Sequence, residues 1–209
     1  MMGLLYIIFF AVYVLVSLLV ILLCYRYTKR RYRRGWIGGV LSAFVIYNLV
    51  FWDWVPTVVA HKYYCATDAG FWIYKTLDQW NVENPGVAKT LVANKGAPSS
   101  EEKFDDGYGR KTTYYLNSRF TWVVIHQDIS DLLPIIRTEQ QVKDVKKNEV
   151  LARYVDFGTG NSVKSTIGPP GPLKFWLHNR HCLGGEINDS KLAHYFIAAK
   201  NINEKEAKK

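Results

Sequence analysis

The chain has 209 residues, 49% of them hydrophobic and 15% aromatic, with 27 Lys and Arg against 18 Asp and Glu for a formal charge of +9. This length holds one modest domain plus a membrane segment, but not two full domains. Six of the cations and one of the acids precede residue 60, so the rest is close to balance, and the charge carries no expectation of a nucleic-acid partner.

Residues 3–24 read GLLYIIFFAVYVLVSLLVILLC, uncharged and interrupted only by Ser17. As a helix this run is ~33 Å long, enough to cross a hydrocarbon layer of ~30 Å. A cleaved signal peptide would carry positive charge before a shorter apolar core. Here the charge follows the run, which favours a retained span.

Residues 36–56 predict a second span, WIGGVLSAFVIYNLVFWDWVP. Trp36 stands at one edge and Trp52 and Trp54 at the other, where indoles settle at the headgroup boundary. Small Ser42 and Ala43, with Asn48, suit close packing on the first helix. Pro56 at the exit favours a bend.

Between the spans, residues 25–35 are expected to form a loop carrying Arg26, Lys29, Arg30, Arg31, Arg33 and Arg34. A short cationic loop stays on the cytoplasmic side. The expected topology is therefore a multi-pass protein of a bacterial inner membrane. Its N-terminus and everything after residue 59 would be periplasmic, and the lipid bilayer its first partner.

Residues 60–209 have the mixed composition of a globular domain, large enough to build its own core. Aromatic and β-branched residues predict a strand over 70–77, and Asn84-Pro85-Gly86 predicts a turn. The polar stretch 94–109 is expected as a solvated loop, and 114–127, YYLNSRFTWVVIHQ, as one strand. Arms 137–145 and 150–157 predict a hairpin around Lys146-Lys147-Asn148-Glu149. In the second arm Leu151, Val155 and Phe157 are expected on one face, with Ala152 and Asp156 on the other. Gly168-Pro169-Pro170-Gly171-Pro172 predicts a stiff connection, and 173–177 an edge strand. Asp189 or Ser190 is expected to cap a last helix to about Lys200, with Leu192, Phe196 and Ile197 on its apolar side and a frayed tail beyond Asn201. The fold class expected is α+β: a two-helix transmembrane hairpin (1–59), then a mainly antiparallel β domain (60–209) with one or two helices.

Cys24 ends the first span and reads as a small hydrophobe. Cys65 and Cys182 fall in the domain expected outside, an oxidising compartment, and predict a disulfide. The rival reading is a metal site, because His61, Cys65, His178, His181 and Cys182 supply imidazole and thiolate donors. The two readings exclude each other where both cysteines are used. No GxSxG, Walker, HExxH or CxxC pattern occurs, the acidic pairs Glu101-Glu102 and Asp105-Asp106 lie in polar sequence, and His126 with Asp128 is ordinary strand spacing. No catalytic residue is therefore assigned and no cofactor expected.

The run FWDWVPTVVAHKYYC with DAGFWIYKTLD (51–80), and VKDVKKNEVLARYVDF (142–157), resemble uncharacterised bacterial membrane-anchored envelope proteins. Lys-Lys-Asn-Glu stands at the turn where Thr-Gly-Glu is expected. The resemblance implies a bacterial source and an external domain, and no activity.

The function expected is that of a non-catalytic accessory subunit binding another membrane or envelope protein, with self-association open. Tyr63, Tyr64, Phe71, Trp72, Tyr74 and Trp80 are its interface candidates. The alternatives are a periplasmic module for a metal or small ligand, and a membrane-bound enzyme of unrecognised class.

Overall fold

A computed structural model describes residues 2–96, 98–104, 108–160, 177, 181–182 and 184–207. They fall into two compact units, Met1–Val55 and Pro56–Lys209.

In the first unit, helix α1 (Met2–Tyr32) runs through the apolar segment and on through most of the basic one. Its Ile7–Tyr32 portion is long and apolar enough to cross a membrane. Lys29, Arg30 and Arg31 occupy its last turn, so the loop expected over 25–35 contracts to a turn at Arg33-Arg34. Lys and Arg are good helix formers and offset the negative end of the helix dipole. Helix α2 (Gly35–Phe51) then runs back along α1. The Tyr13 hydroxyl donates to Ile46 O at 2.8 Å, and the Tyr13 and Phe51 rings meet edge to face. At the other end Gly38 lies against Thr28 and the Cys24 carbonyl so closely that any Cβ would collide.

The uninterrupted span expected over 36–56 is not present. At 17 residues α2 alone is short for a crossing, and it breaks at Trp52-Asp53 before helix α3 (Trp54–Thr67). Pro56 accounts for the break: in a continuous helix its ring would strike the carbonyl of Trp52. In the first turn of a new helix its missing N–H costs nothing.

The second unit is built on a six-stranded antiparallel sheet of order β1-β6-β5-β4-β3-β2. Its strands are β1 (Gly70–Ile73), β2 (Ser99–Lys103), β3 (Gly109–Tyr115), β4 (Phe120–Asp128), β5 (Ile135–Asp144) and β6 (Glu149–Thr159). The strand expected over 70–77 stops at Ile73, because Thr76 and Gln79 form a reciprocal capping box that opens helix α4 (Leu77–Glu83). The run 114–127 divides between β3 and β4. Asn117 Oδ1 accepts from the backbone N–H groups of Arg119 and Phe120, replacing ladder bonds with a side-chain turn. The polar stretch expected as loop contains β2, an edge strand exposed at every residue. Its charged side chains guard the edge against strand addition.

The expected hairpin is present, with Asn148 at φ 51° in its turn. A bulge between Val142 and Lys143 alters its second arm. Val142 pairs with Ala152 and Lys143 with Val150, so Leu151 is the extra residue. Leu151 therefore joins Ala152 and Tyr154 in the first core, and Val155 and Phe157 enter the second.

That first core lies between one sheet face and the helices α4, α5 (Val87–Thr90), α6 (Gly185–Lys200) and α7 (Ile202–Ala207). Trp80 and Phe120 meet at 4.7 Å, and Trp122 stacks on Phe196 at 4.5 Å. The second core sets Ala60, Tyr64 and Cys65 of α3 against Ile135, Val155 and Phe157. Helix α6 begins four residues before the expected cap, after Gly184 in the left-handed region, and Asp189 bonds Gln140 instead. Leu192 is buried as expected, while Ile197 is exposed. The tail beyond Asn201 forms α7, anchored by buried Ile202. The unit is thus α+β and mainly antiparallel, with more helix than the sequence leads one to expect. The proline-rich connection and the strand expected over 173–177, apart from Leu177, lie outside the described residues.

Candidate functional site

His61 and Cys65 stand four residues apart on α3, hence on one helix face, and that face packs on the Val155–Phe157 end of β6. Cys182 meets them from the segment before α6, bonded to Cys65 with the two Cα atoms 5.4 Å apart. The disulfide expected from sequence joins positions 117 residues apart and ties α3 to the chain entering α6.

The His61 ring is buried, and its Nε2 lies 3.0 Å from Phe157 O. A carbonyl only accepts, so Nε2 carries the proton and Nδ1 the lone pair. Nε2 and Nδ1 lie 3.5 and 4.0 Å from Cys65 Sγ. One donor atom each from His61, Cys65 and Cys182 falls within 4.8 Å of the others.

Asp156, on the opposite face of β6 from Phe157, organises the Cys182 side. Its Oδ1 accepts from Cys182 N at 3.0 Å and its Oδ2 from His181 Nδ1 at 2.7 Å. The carboxylate is buried, whereas the His181 ring is mostly exposed. Nearby, Tyr154 donates to Gly185 O, and burial together with the Asp156 charge pushes its phenol well above the usual range. Asp156 and the Phe157 carbonyl were not singled out from sequence. A carboxylate set between Val155 and Phe157 was the available signal.

Of the five metal donors considered from sequence, the fold gathers His61, Cys65 and Cys182. His181 is turned to Asp156, and His178 lies outside the described residues. Asp156–His181 is a carboxylate–imidazole pair with Nε2 directed away from the carboxylate. Compared with protein-family models, curated proteins and solved structures, the chain matches none.

The interface candidates separate into two sets. Trp80 is fully buried and donates its indole N–H to Asp144, Phe71 packs on the first core, and Tyr64 stacks on Phe157 at 5.3 Å. These three are structural, because each ring meets the sheet or a core helix. Tyr63, Trp72 and Tyr74 remain exposed, with Val59 and Ile73 beside them in sequence. Trp36, Trp52 and Trp54 are exposed, as are all six cations at and after the end of α1.

Proposed function

We propose that this protein is a membrane-anchored, non-catalytic interaction subunit of a bacterial envelope complex, holding its β domain on the periplasmic side. The observation that carries the reading is an exposed apolar set on two consecutive elements. Val59 and Tyr63 line the outward side of α3, and Trp72, Ile73 and Tyr74 belong to or follow β1. A folded domain of this size has the means to bury such side chains, and exposed groups of them mark association surfaces. Aromatic side chains that keep an apolar body and a polar tip suit a protein partner.

Sidedness rests on the cations that close α1 and follow it. With α1 and then α2 returning through the bilayer, and α3 already part of the β domain, this cluster stays cytoplasmic and the domain is exported. The disulfide fits an oxidising compartment. Paired C-terminal reporters, one active only in the cytosol and one only outside it, test the topology. Activity of the cytosolic reporter overturns it. Photo-crosslinking amino acids at Tyr63 and Tyr74, with control positions Lys111 and Lys143 on β3 and β5, test the interface. A defined adduct at the first pair alone is expected. Uncrosslinked monomer at all four refutes an interaction subunit.

A further inference from the structure

The His61–Cys65–Cys182 cluster has a feature that a purely structural disulfide does not need. A buried imidazole sits against the sulfurs with Nε2 locked to a backbone carbonyl, which leaves Nδ1, 4.0 Å from Cys65 Sγ, with its lone pair open to a ligand. Metal-binding histidines are commonly held this way, one ring N–H fixed by a carbonyl or carboxylate so that the other nitrogen is aimed at the ion. Cys65 lies one helical turn from His61, and Cys182 is positioned by its backbone bond to Asp156.

We propose that reduction of the Cys65–Cys182 disulfide converts this cluster into a binding site for one thiophilic d10 cation, Zn2+ or Cu+, held by His61 Nδ1 and the two thiolates. Ligand atoms ~2.0–2.3 Å from a tetrahedral ion lie about 3.5–3.8 Å from one another. His61 Nδ1 already stands 4.0 Å from Cys65 Sγ, a few tenths of an ångström beyond that separation. Two thiolates and an imidazole form a soft donor set that selects such cations over Mg2+ or Ca2+. His181, engaged by Asp156, stays outside the set, and the half-buried Cys65 and Cys182 leave a fourth position to water.

The chemistry balances with a dithiol as reductant. Its two thiols supply two electrons and two protons and leave as a disulfide, while Cys65 and Cys182 become thiols. The cation then displaces both thiol protons. Oxidised, the chain holds a covalent strap between α3 and the chain entering α6; reduced, it holds a metal clip at the same place. The domain is thus a redox-gated metal binder. This inference does not depend on the partner proposed above.

The test uses the full chain in mild detergent, reduced anaerobically with a phosphine and titrated with Co2+ as the spectroscopic stand-in for Zn2+. One equivalent of Co2+ is expected, with thiolate-to-cobalt charge-transfer absorption that Zn2+ abolishes, and none in the oxidised chain. Cys65→Ser and Cys182→Ser should remove the absorption. His61→Ala should weaken binding by more than the 10–100-fold typical of losing an outer-shell partner. His181→Ala should leave it unchanged. Circular dichroism of each sample reports whether the fold persists. Three outcomes overturn the proposal: no cobalt–thiolate band in the folded reduced chain, unchanged affinity in His61→Ala, or loss of the folded spectrum on reduction.

Discussion

Replacing Asp144 with asparagine should be among the most damaging isosteric changes available in the second unit. Asp144 is fully buried at the end of β5 and is met by four donors. Trp80 Nε1 and Arg119 Nε each approach to 2.7 Å, while the backbone N–H groups of Lys146 and Lys147 reach Oδ1 at 3.0 and 3.2 Å. Burial alone would raise the carboxyl pKa. The donors of Trp80, Arg119 and Lys147, with the Arg119 charge, outweigh it and hold the carboxyl below its usual value of 3.8. Arg119 is 8% exposed, lies over the Trp80 ring and donates its remaining arm to Asn84. With asparagine at 144 one carbonyl oxygen replaces two charged acceptors, and the guanidinium is left buried without a counter-charge.

Breaking such a pair from one side costs about 3–5 kcal/mol, out of roughly 5–15 kcal/mol for a whole domain. At ~2–4 °C per kcal/mol for a domain of this size, thermal unfolding should fall by about 6–20 °C. Tryptophan fluorescence during heating reads this directly, because Trp80 itself leaves the site on unfolding. Glu83→Gln is the reference. Glu83 pairs with Lys75 and Lys147 at the surface, where solvent screens the charges, and its loss should leave the unfolding temperature close to the parent's. Replacing both partners, as in Asp144→Leu with Arg119→Met, should recover only part of the loss, since the Lys146 and Lys147 N–H groups would then lack their acceptor. Equal unfolding temperatures for Asp144→Asn and Glu83→Gln would refute this assignment of the network.

The disulfide closes a loop of 117 residues, for which chain entropy gives an upper figure of ~5 kcal/mol. Cys65→Ser should therefore lower the unfolding temperature by several degrees in non-reducing buffer and by nothing in reducing buffer. Asp144 and Glu139 both have depressed folded-state pKa values; burial opposes the shift at each, and ionic hydrogen bonds prevail. Their stabilisation is complete above about pH 4–5 and drains as pH falls through the folded values below that. Denaturant midpoints measured from pH 6 to pH 2 should decline in that window and flatten in Asp144→Asn. Trp122→Ala removes stacking on Tyr114 and Phe196 together and should cost about 2–4 kcal/mol; a loss below 1 kcal/mol in urea titration would exclude α6 as part of the core. In the first unit, Gly38→Leu should force α2 off Thr28 and Cys24 and abolish an engineered Tyr13→Cys/Ile46→Cys cross-link that forms in the parent.

Much of this architecture is written in local chemistry. The apolar helix α1, the hairpin of β5 and β6 and the antiparallel character of the domain follow from run length, alternation and turn residues, which act over a few positions. The disulfide was legible too, because two cysteines in one expected compartment leave one intramolecular pairing.

What sequence alone left undecided depended on contacts between distant segments. Pro56 was read as a bend at the end of a helix, but a steric conflict with Trp52 makes it the start of another. One bulged residue, Leu151, changes which core the second arm feeds, and no local pattern announces a bulge. Trp80 looked like an interface residue until its indole met Asp144, 64 positions away. The same holds for the candidate site: five donors were visible in sequence, and only packing α3 on β6 shows that His61, Cys65 and Cys182 converge while Asp156 claims His181. Local propensity selects the elements, whereas burial, charge pairing and close approach choose which side chains share a space.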